Sequence, residues 1–262
     1  MMLKLSEIRN KHYGHERRKS INVGADIDDW KYSPYNCLKA RVYIELSSLL
    51  VFVFQFTRIS PNQITLMYTI SGVLGGIFLT LNNNTSIIIA CLIFYFKGTL
   101  DWTDGLLARI RNETSSFGHI LDTWGSHVGY IFFISGLFIY CFNITNNNIY
   151  IIALICFLII KAIDFKSYLY QQSFYEILNN TQNIDKNFLK RDEIIKEKKN
   201  YIYIFLKAFM DDRARTTDFV LLLIILNILY GFSFLIEAAV ILYFAKNLIV
   251  FIGNFYILYK KN

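Results

Sequence analysis

Apolar residues dominate long stretches of the chain, and six of these stretches are long enough to cross a membrane as helices. They lie at about residues 62–81, 86–106, 118–142, 148–168, 217–234 and 237–258. A helix that crosses a bilayer needs about 20 predominantly apolar residues. The pattern therefore predicts an all-α integral membrane protein with six transmembrane helices.

A shorter apolar run over residues 46–57 precedes the first predicted span, and Arg58 ends it. The run is too short to cross a membrane. We expect either an amphipathic helix in the membrane interface or a helix buried under the bundle, the two readings being equally open. The chain then divides into a cytoplasmic N-terminal arm with the interfacial helix, 1–58, and a six-helix transmembrane domain, 59–262, with a cytoplasmic loop at 171–216.

The distribution of Lys and Arg predicts the orientation in the membrane. The turns at 82–85 and 143–148 contain neither residue, whereas the other connections between spans are basic. Because basic loops stay on the cytoplasmic side, we expect both termini in the cytoplasm, in a bacterial inner membrane. The net charge of +7 is attributed to these loops, so no nucleic-acid partner is expected.

The overall composition agrees with a membrane protein. Hydrophobic residues make up 54% of the chain and charged residues only 18%, which excludes an ordinary soluble globule. The cysteines are far apart in the sequence and form no CxxC pair, which argues against a zinc site. They are Cys37, Cys91, Cys141 and Cys156.

Three carboxylates lie at the cytoplasmic end of the second predicted span and the start of the third: Asp101, Asp104 and Asp122. An acid at the centre of a membrane helix costs about 2.5–3.5 kcal/mol, which marks such a residue as functional. Asp101 and Asp104 are three residues apart and share a helix face. Three acids without a His or Cys ligand favour a hard cation, Mg²⁺ or Mn²⁺. Such ions usually serve phosphate chemistry.

Residues with small side chains share the acidic helix faces. Gly105 and Ala108 lie on the face of Asp101, and Gly118 and Ser126 lie on the face of Asp122. Small residues allow helices to pack closely, and they also leave space for a bulky ligand beside the acids. Both interpretations are open from the spacing alone. Arg109 follows the small face and is placed to bind phosphate.

This arrangement resembles the signature of the CDP-alcohol phosphotransferases, also called CDP-alcohol phosphatidyltransferases. The family pattern is DxxDGxxAR, eight residues, then GxxxDxxxD. The chain has Asp101-x-x-Asp104-Gly105-x-x-Ala108-Arg109, eight residues, then Gly118-x-x-x-Asp122-x-x-x-Ser126. The first predicted span also begins in a way that is similar to the family, with Pro61, Asn62 and Thr65. The resemblance extends from about residue 40 to the end of the chain.

The resemblance implies a transferase of phospholipid biosynthesis. Such an enzyme would move a substituted phosphate or phosphonate group from a CDP-linked donor to a hydroxyl acceptor, often lipid-associated, and would release CMP. It would depend on one or two divalent cations, and it would form a homodimer. The metal ligands implied are Asp101, Asp104 and Asp122. The residues implied to hold the cytidine nucleotide are Asn62, Thr65, Asp101, Gly105, Ala108, Arg109 and Gly118.

The chain departs from the family pattern at Ser126, where the family has an Asp that acts as general base. In one explanation His127 replaces the base, since an imidazole titrates near neutral pH. In a second, no separate base is needed, and Asp122 serves both metal and proton or the acceptor is a better nucleophile. In a third, the chain is an inactive relative. The expected catalytic residues are thus His127, Asp122 and Ser126.

The donor is either CDP-diacylglycerol or a soluble CDP-linked head group. The stretch Trp30-Lys31-Tyr32-Ser33 resembles the entry of the choline and ethanolamine phosphotransferases, which favours a soluble donor. The alternatives are a CDP-diacylglycerol-dependent phospholipid synthase, a non-catalytic CDP-lipid-binding relative and an ion-binding membrane transporter. A transport path needs polar residues strung across the membrane, whereas the acids here cluster at one edge.

Two lysines inside the predicted spans add to this picture. Lys97 lies one helical turn before Asp101, so it is expected either to pair with that acid or to contact substrate phosphate. Lys246 lies in the middle of the sixth predicted span, followed by Asn247. A lysine there should face the interior of the bundle or a polar cavity.

Overall fold

The computed structural model describes residues 3–23, 27–28, 30, 34–163 and 214–261. These described residues form helices without any strand, which confirms the all-α prediction. Residues 171–213 of the predicted cytoplasmic loop at 171–216 lie outside the described residues, and its last three residues are described. Residues 31–33, which favoured a soluble donor, also lie outside them.

Helices cover most of the described chain, and four of them are long and apolar enough to cross a membrane. The helices are α1 (Leu5–Val23), α2 (Pro34–Phe54), α3 (Pro61–Thr80), α4 (Asn84–Arg111), α5 (Ser116–Thr145), α6 (Ile149–Ala162), α7 (Ala214–Tyr230) and α8 (Ser233–Lys261). The four candidate spans are α3, α4, α5 and the part of α8 from Ser233 to Gly253.

The other two predicted spans correspond to shorter apolar helices, α6 and the part of α7 from Thr217 to Tyr230. The 14 residues of α6 rise only about 21 Å, against a hydrocarbon core of about 30 Å. Its predicted span ran to residue 168, whereas the described helix ends at Ala162. The chain is therefore an integral membrane protein with four clear candidate spans among the described residues, and the count of six stays a prediction.

The start of α3 is fixed by a capping box. The Ser60 Oγ accepts a hydrogen bond from the Gln63 N–H at 3.3 Å, and the Ser60 N–H donates to Gln63 Oε1 at 2.8 Å. Pro61 occupies the first helical position, where its missing N–H leaves no helical bond unmade. The first turns of α3, which carry Asn62 and Thr65, are therefore held in a defined place.

The end of α4 and the start of α5 are fixed by equally local chemistry. Asn112 follows α4 with a φ of 57°, the left-handed conformation that commonly ends a helix. Ser115 caps α5, because its Oγ accepts a hydrogen bond from the Gly118 N–H at 3.0 Å. These caps set the positions of the predicted site residues at the two helix ends.

The described residues divide into two compact units. The first unit comprises the described residues up to 71 together with 95–128, and the second comprises 72–94, 129–163 and 214–261. The core of the first unit brings α1, α2, α3 and α4 together. Its buried side chains are Ile8, Val51, Ile64, Leu106 and Leu107. All the predicted site residues belong to this unit.

Polar side chains join α1 to α2 in the first unit. The Gln55 amide exchanges two hydrogen bonds of 3.0 Å with the backbone N–H and C=O of Leu3. The Arg9 guanidinium donates to Glu45 at 2.7 Å, and the Tyr13 hydroxyl donates to the same carboxylate at 3.0 Å. The hydrophobic pattern did not predict α1, because this helix is polar and is held through such contacts.

The short apolar run predicted at 46–57 belongs to a longer helix, α2. Tyr43, Ile44 and Val51 are buried on one side of α2, whereas Leu49 and Val53 are exposed on another. An exposed apolar side is what a helix in the membrane interface requires. The position of α2 relative to the membrane stays a prediction.

The second unit contains a close crossing of α3 and α5 at two glycines. A Cβ atom added at Gly76 would lie 2.5 Å from the backbone oxygen of Phe132, and one added at Gly136 would lie 2.6 Å from the backbone oxygen of Gly76. Small residues let membrane helices approach to backbone contact. Lys246 and Asn247 are buried in this unit, as their position in the last predicted span led us to expect.

Gly136→Ala should destabilise the second unit, because its methyl group would overlap a backbone carbonyl that has no rotamer to change. We expect a loss of about 1–3 kcal/mol, seen as a lower thermal unfolding midpoint in lipid nanodiscs. Gly253→Ala is the matched control, since a Cβ there meets nothing within 4 Å. Equal midpoints for the two variants would contradict the close crossing.

Candidate active site

The candidate site lies in the first unit, where the start of α3, the end of α4 and the start of α5 meet. The Thr65 hydroxyl donates a hydrogen bond of 2.5 Å to Asp104 Oδ2. A Cβ atom added at Gly118 would lie 3.2 Å from Asn62 Oδ1. Thr65 of α3 therefore contacts Asp104 of α4, and Asn62 of α3 lies beside Gly118 of α5. The family resemblance implied these residues as parts of one site, but not which of them lie next to each other.

The three carboxyl groups lie close to one another. Asp101 and Asp122 hydrogen-bond through their side chains, and both interact electrostatically with Asp104. Asp104 is buried, whereas the other two are partly exposed. Two ionised carboxylates that lie next to each other repel, unless a proton or a cation lies between them. The arrangement is therefore suited to holding positive charge.

The carboxyl groups are not arranged as a finished metal site. Within the described residues, no three His, Cys, Asp or Glu side chains are grouped closely enough to hold one ion together. One oxygen of Asp104 is already engaged by Thr65. The oxygen-only chemistry of the three acids still fits a hard cation.

Arg109 lies back along α4 over the small residue Gly105. A Cβ atom added at Gly105 would lie 3.3 Å from Arg109 Nη1, so the guanidinium fills the space above the glycine. Arg109 also interacts electrostatically with Asp104 and with Glu16 of α1. Glu16 could not be predicted as a partner of Arg109, because nothing in the polar N-terminal segment distinguishes this acid from its neighbours.

Ser126 occupies the position of the missing fourth carboxylate, and its side chain is exposed. Its side chain lies near that of Tyr68, which is buried on α3. His127, the next residue, is exposed as well. Tyr68 could not be predicted as a neighbour of the acids, since one aromatic residue in an apolar span has no distinguishing pattern around it.

Lys97 lies at the edge of the same cluster. Its Nζ atom is 4.3 Å from the centroid of the Tyr68 ring, and it interacts electrostatically with Asp101. A cation over a tyrosine face is attracted by the ring electrons. Lys97 was expected either to pair with Asp101 or to contact substrate phosphate, and the structure places it near Asp101.

Arg111 holds the connection between α2 and α3 against the end of α4. Its guanidinium donates to the backbone oxygens of Ile59 at 2.6 Å, Phe54 at 2.9 Å and Thr57 at 3.0 Å. In the sequence, Arg111 is one of the basic residues that follow the second predicted span, and nothing there distinguishes it. The structure gives it a specific role in placing the start of α3.

Arg111→Lys should lower the stability of the first unit, because an ammonium group cannot reproduce the fork of a guanidinium. We expect a loss of about 1–3 kcal/mol in thermal unfolding, the cost of hydrogen bonds to a charged donor. Arg58→Lys is the control, since Arg58 is an exposed residue of the same connection. An unchanged midpoint for Arg111→Lys would show that the three bonds are not needed.

Comparison with protein families gives an independent result for the same region. A family model described as CDP-alcohol phosphatidyltransferase matches residues 58–165. The match begins just before α3 and includes every residue that the resemblance implied for the metal and the nucleotide. It also indicates a phosphotransferase enzyme. No curated protein matches the chain.

Proposed function

We propose that the chain is a member of the CDP-alcohol phosphatidyltransferase family, because a model of that family matches residues 58–165, and on that premise we propose a specific reaction. The family transfers a phosphate group from a CDP-alcohol to an acceptor. In this chain the donor would be a soluble CDP-linked compound, the acceptor a lipid-associated alcohol, and the products the substituted phosphate ester and CMP. The observation that carries the proposal is the grouping of Asp101, Asp104 and Asp122 within the matched region.

The three acids would bind one or two divalent cations, Mg²⁺ or Mn²⁺. Carboxylate oxygens are the ligands that such hard cations prefer, and a cation between Asp101 and Asp122 would remove the repulsion of their charges. When bound, the cation would neutralise the charge of the donor pyrophosphate. Thr65 would orient Asp104 through its hydrogen bond.

The cytidine nucleotide would lie beside the small residues of α4 and α5. Gly105, Ala108 and Gly118 would leave room for it, and Asn62 would approach it from the start of α3. The Arg109 guanidinium lies over Gly105, so it would bind the nucleotide phosphates there. Glu16, which interacts with Arg109, would keep that guanidinium in place before the donor enters.

The transfer forms one P–O bond and breaks another. The oxygen of the acceptor hydroxyl attacks the phosphorus that carries the donor alcohol. The bond from that phosphorus to the bridging oxygen breaks, and CMP leaves with the bonding electrons. The acceptor proton passes to Asp122 or to His127, because a serine hydroxyl such as Ser126 is too weak a base near neutral pH.

A lipid-associated acceptor is supported by exposed aromatic residues on α5. Phe117 and Trp124 flank Asp122 in the sequence, and 56% and 52% of their surfaces are exposed. Aromatic side chains at a membrane surface commonly lie at the level of the lipid head groups. We propose further that the site opens to the cytoplasm, and that the chain acts as a homodimer.

The reaction is tested by CMP release from the purified protein in nanodiscs of total membrane lipid. We expect CMP with Mg²⁺ or Mn²⁺ and a soluble CDP-linked donor, and its loss when EDTA removes the metal. Asp122→Asn and Asp101→Asn should each lower kcat by about 100-fold or more, because loss of a ligand exceeds the cost of losing a supporting residue. A wild-type protein that releases no CMP from any donor would refute the proposal.

The control for these acids is Glu113→Gln, which removes an exposed carboxylate just after α4. It should keep the wild-type rate. CMP release from CDP-diacylglycerol, and not from soluble donors, would instead identify a phospholipid synthase of the same family. Ion flux without CMP release would identify a transporter.

The proton acceptor is tested with His127→Ala, measured beside His119→Ala. If His127 takes the proton, kcat should fall by about 100-fold or more, the usual contribution of general base catalysis. His119 is another exposed histidine of α5, which has no part in the proposed reaction, so its loss should leave kcat unchanged. Full activity of His127→Ala would assign the proton to Asp122.

A further inference from the structure

The helix α4, which carries two of the three acids, has a second packed side. Trp102 directly follows Asp101, so it lies about 100° further around the helix. Tyr95, Gly98 and Leu106 share the side of Trp102, because they are three or four residues apart. This side contacts α1 and α2, which both end before residue 58, where the family match begins. Neither the family pattern nor the proposed reaction uses Trp102.

Trp102 contacts one aromatic ring from each of these two helices. The centroid of its ring lies 5.6 Å from that of His12 in α1, with 55° between the ring planes. It lies 5.9 Å from the ring centroid of Tyr43 in α2, at 68°. Aromatic pairs prefer such tilted or edge-on contacts to a face-to-face stack. The orientation of Trp102 therefore depends on α1 and α2 together.

His12 is fully buried and is held against α2. None of its surface is exposed, and its Nδ1 atom lies 3.3 Å from Ser47 Oγ and 3.4 Å from Ser48 Oγ, within hydrogen-bonding distance. One turn earlier in α1, Ile8 packs in the same buried cluster as Leu106 of α4. Buried polar groups with defined partners favour a single arrangement. The imidazole therefore presents a fixed ring to Trp102.

Tyr43 fixes α2 to the turn of α4 that precedes the acids. Its hydroxyl donates a hydrogen bond of 2.7 Å to the backbone oxygen of Tyr95. A Cβ atom added at Gly98 would lie 2.7 Å from the ring atom Cε2 of Tyr43, so the ring lies directly against the backbone of α4. The N-terminal helices thus contact α4 at Tyr95, Gly98 and Trp102, over about two helical turns.

These contacts limit the rotation of α4 about its own axis, and that rotation determines where the acids lie. A group about 6 Å from the axis moves by about 2 Å when the helix turns by about 20°. A displacement of about 1 Å in a catalytic arrangement can lower the rate about 100-fold. The hydrogen bond from Thr65 to Asp104 restrains α4 at one point only. The contacts of Trp102 restrain it from another side.

We propose that His12 is a positioning residue for the metal site, which acts through Trp102 to fix the rotation of α4 and thereby the positions of Asp101 and Asp104. This inference rests on the metal binding of the proposed function. The N-terminal helix α1, which lies outside the region matched by the family, is then a part of the catalytic unit.

The proposal is tested by Mn²⁺ binding, measured by electron paramagnetic resonance on the whole protein in nanodiscs without donor or acceptor. We expect His12→Leu to weaken Mn²⁺ binding about tenfold, the usual effect of losing a residue that supports metal ligands, and to lower kcat for CMP release by a similar factor. Trp102→Leu should have the same effect, and the double variant should be no worse than Trp102→Leu, because His12 acts through Trp102. Trp102→Phe keeps an aromatic contact and should bind Mn²⁺ within about twofold of the wild type.

Glu45→Gln is the matched control for the attachment of α1. Glu45 of α2 accepts hydrogen bonds from Arg9 and Tyr13 of α1, and these bonds do not involve Trp102. The variant should lower the thermal unfolding midpoint, because it weakens the contact between α1 and α2. It should leave Mn²⁺ binding and kcat unchanged.

Wild-type Mn²⁺ binding by His12→Leu would overturn the proposal, as would additive losses in the double variant or an equal loss in Glu45→Gln. If His12→Leu does not fold, Trp102→Phe and Trp102→Leu decide the question, and equal Mn²⁺ affinities of these two would overturn the proposal. A wild-type protein that binds Mn²⁺ but releases no CMP would refute the proposed reaction alone, since Mn²⁺ binding by the variants still tests His12. A wild-type protein that binds no Mn²⁺ would refute both the proposed metal site and this inference.

Discussion

An acid in a membrane helix is stable only where other groups compensate its charge, and the candidate site is organised around this requirement. Asp104 is buried and receives a hydrogen bond from Thr65. Asp101 is paired with Asp122 and lies near the ammonium group of Lys97. Each compensating group comes from a different helix or a different turn, so the acids determine how α3, α4 and α5 meet.

Glycines allow α3, α4 and α5 to pack this closely. Close packing is needed because a short side chain such as Thr65 reaches an acid on the next helix only over a small distance. Gly125 brings α5 against Thr69 and the Tyr68 ring, and Gly118 brings it against Asn62. From the spacing alone, the small residues beside the acids could serve either helix packing or space for a ligand. Gly125 serves packing, because a Cβ atom there would overlap Thr69, whereas Gly105 lies beneath the guanidinium of Arg109, a group suited to a phosphate ligand.

The parts of the site that the sequence predicted are those encoded by short spacing. Asp101, Asp104 and Gly105 share a helix face through the period of the helix, so their grouping could be read directly. Tyr68, Glu16 and Arg111 could not be identified in this way, because they contact residues that are 29 to 93 positions away in the sequence. Similarly, hydropathy indicated that α6 is apolar, but it did not show that the described helix ends at Ala162.

The three bonds of Arg111 limit how the length of the connection between α2 and α3 can change. Loops normally tolerate added residues, because their backbone is solvated and its exact path carries no interaction. Here the Arg111 guanidinium sets the path, because it donates hydrogen bonds to the backbone oxygens of Phe54, Thr57 and Ile59. One added residue would move at least one of these backbone oxygens away from Arg111 and leave part of its guanidinium without a hydrogen-bond acceptor. The length of this segment is thus matched to the reach of one side chain of α4, although all three acceptors are backbone oxygens.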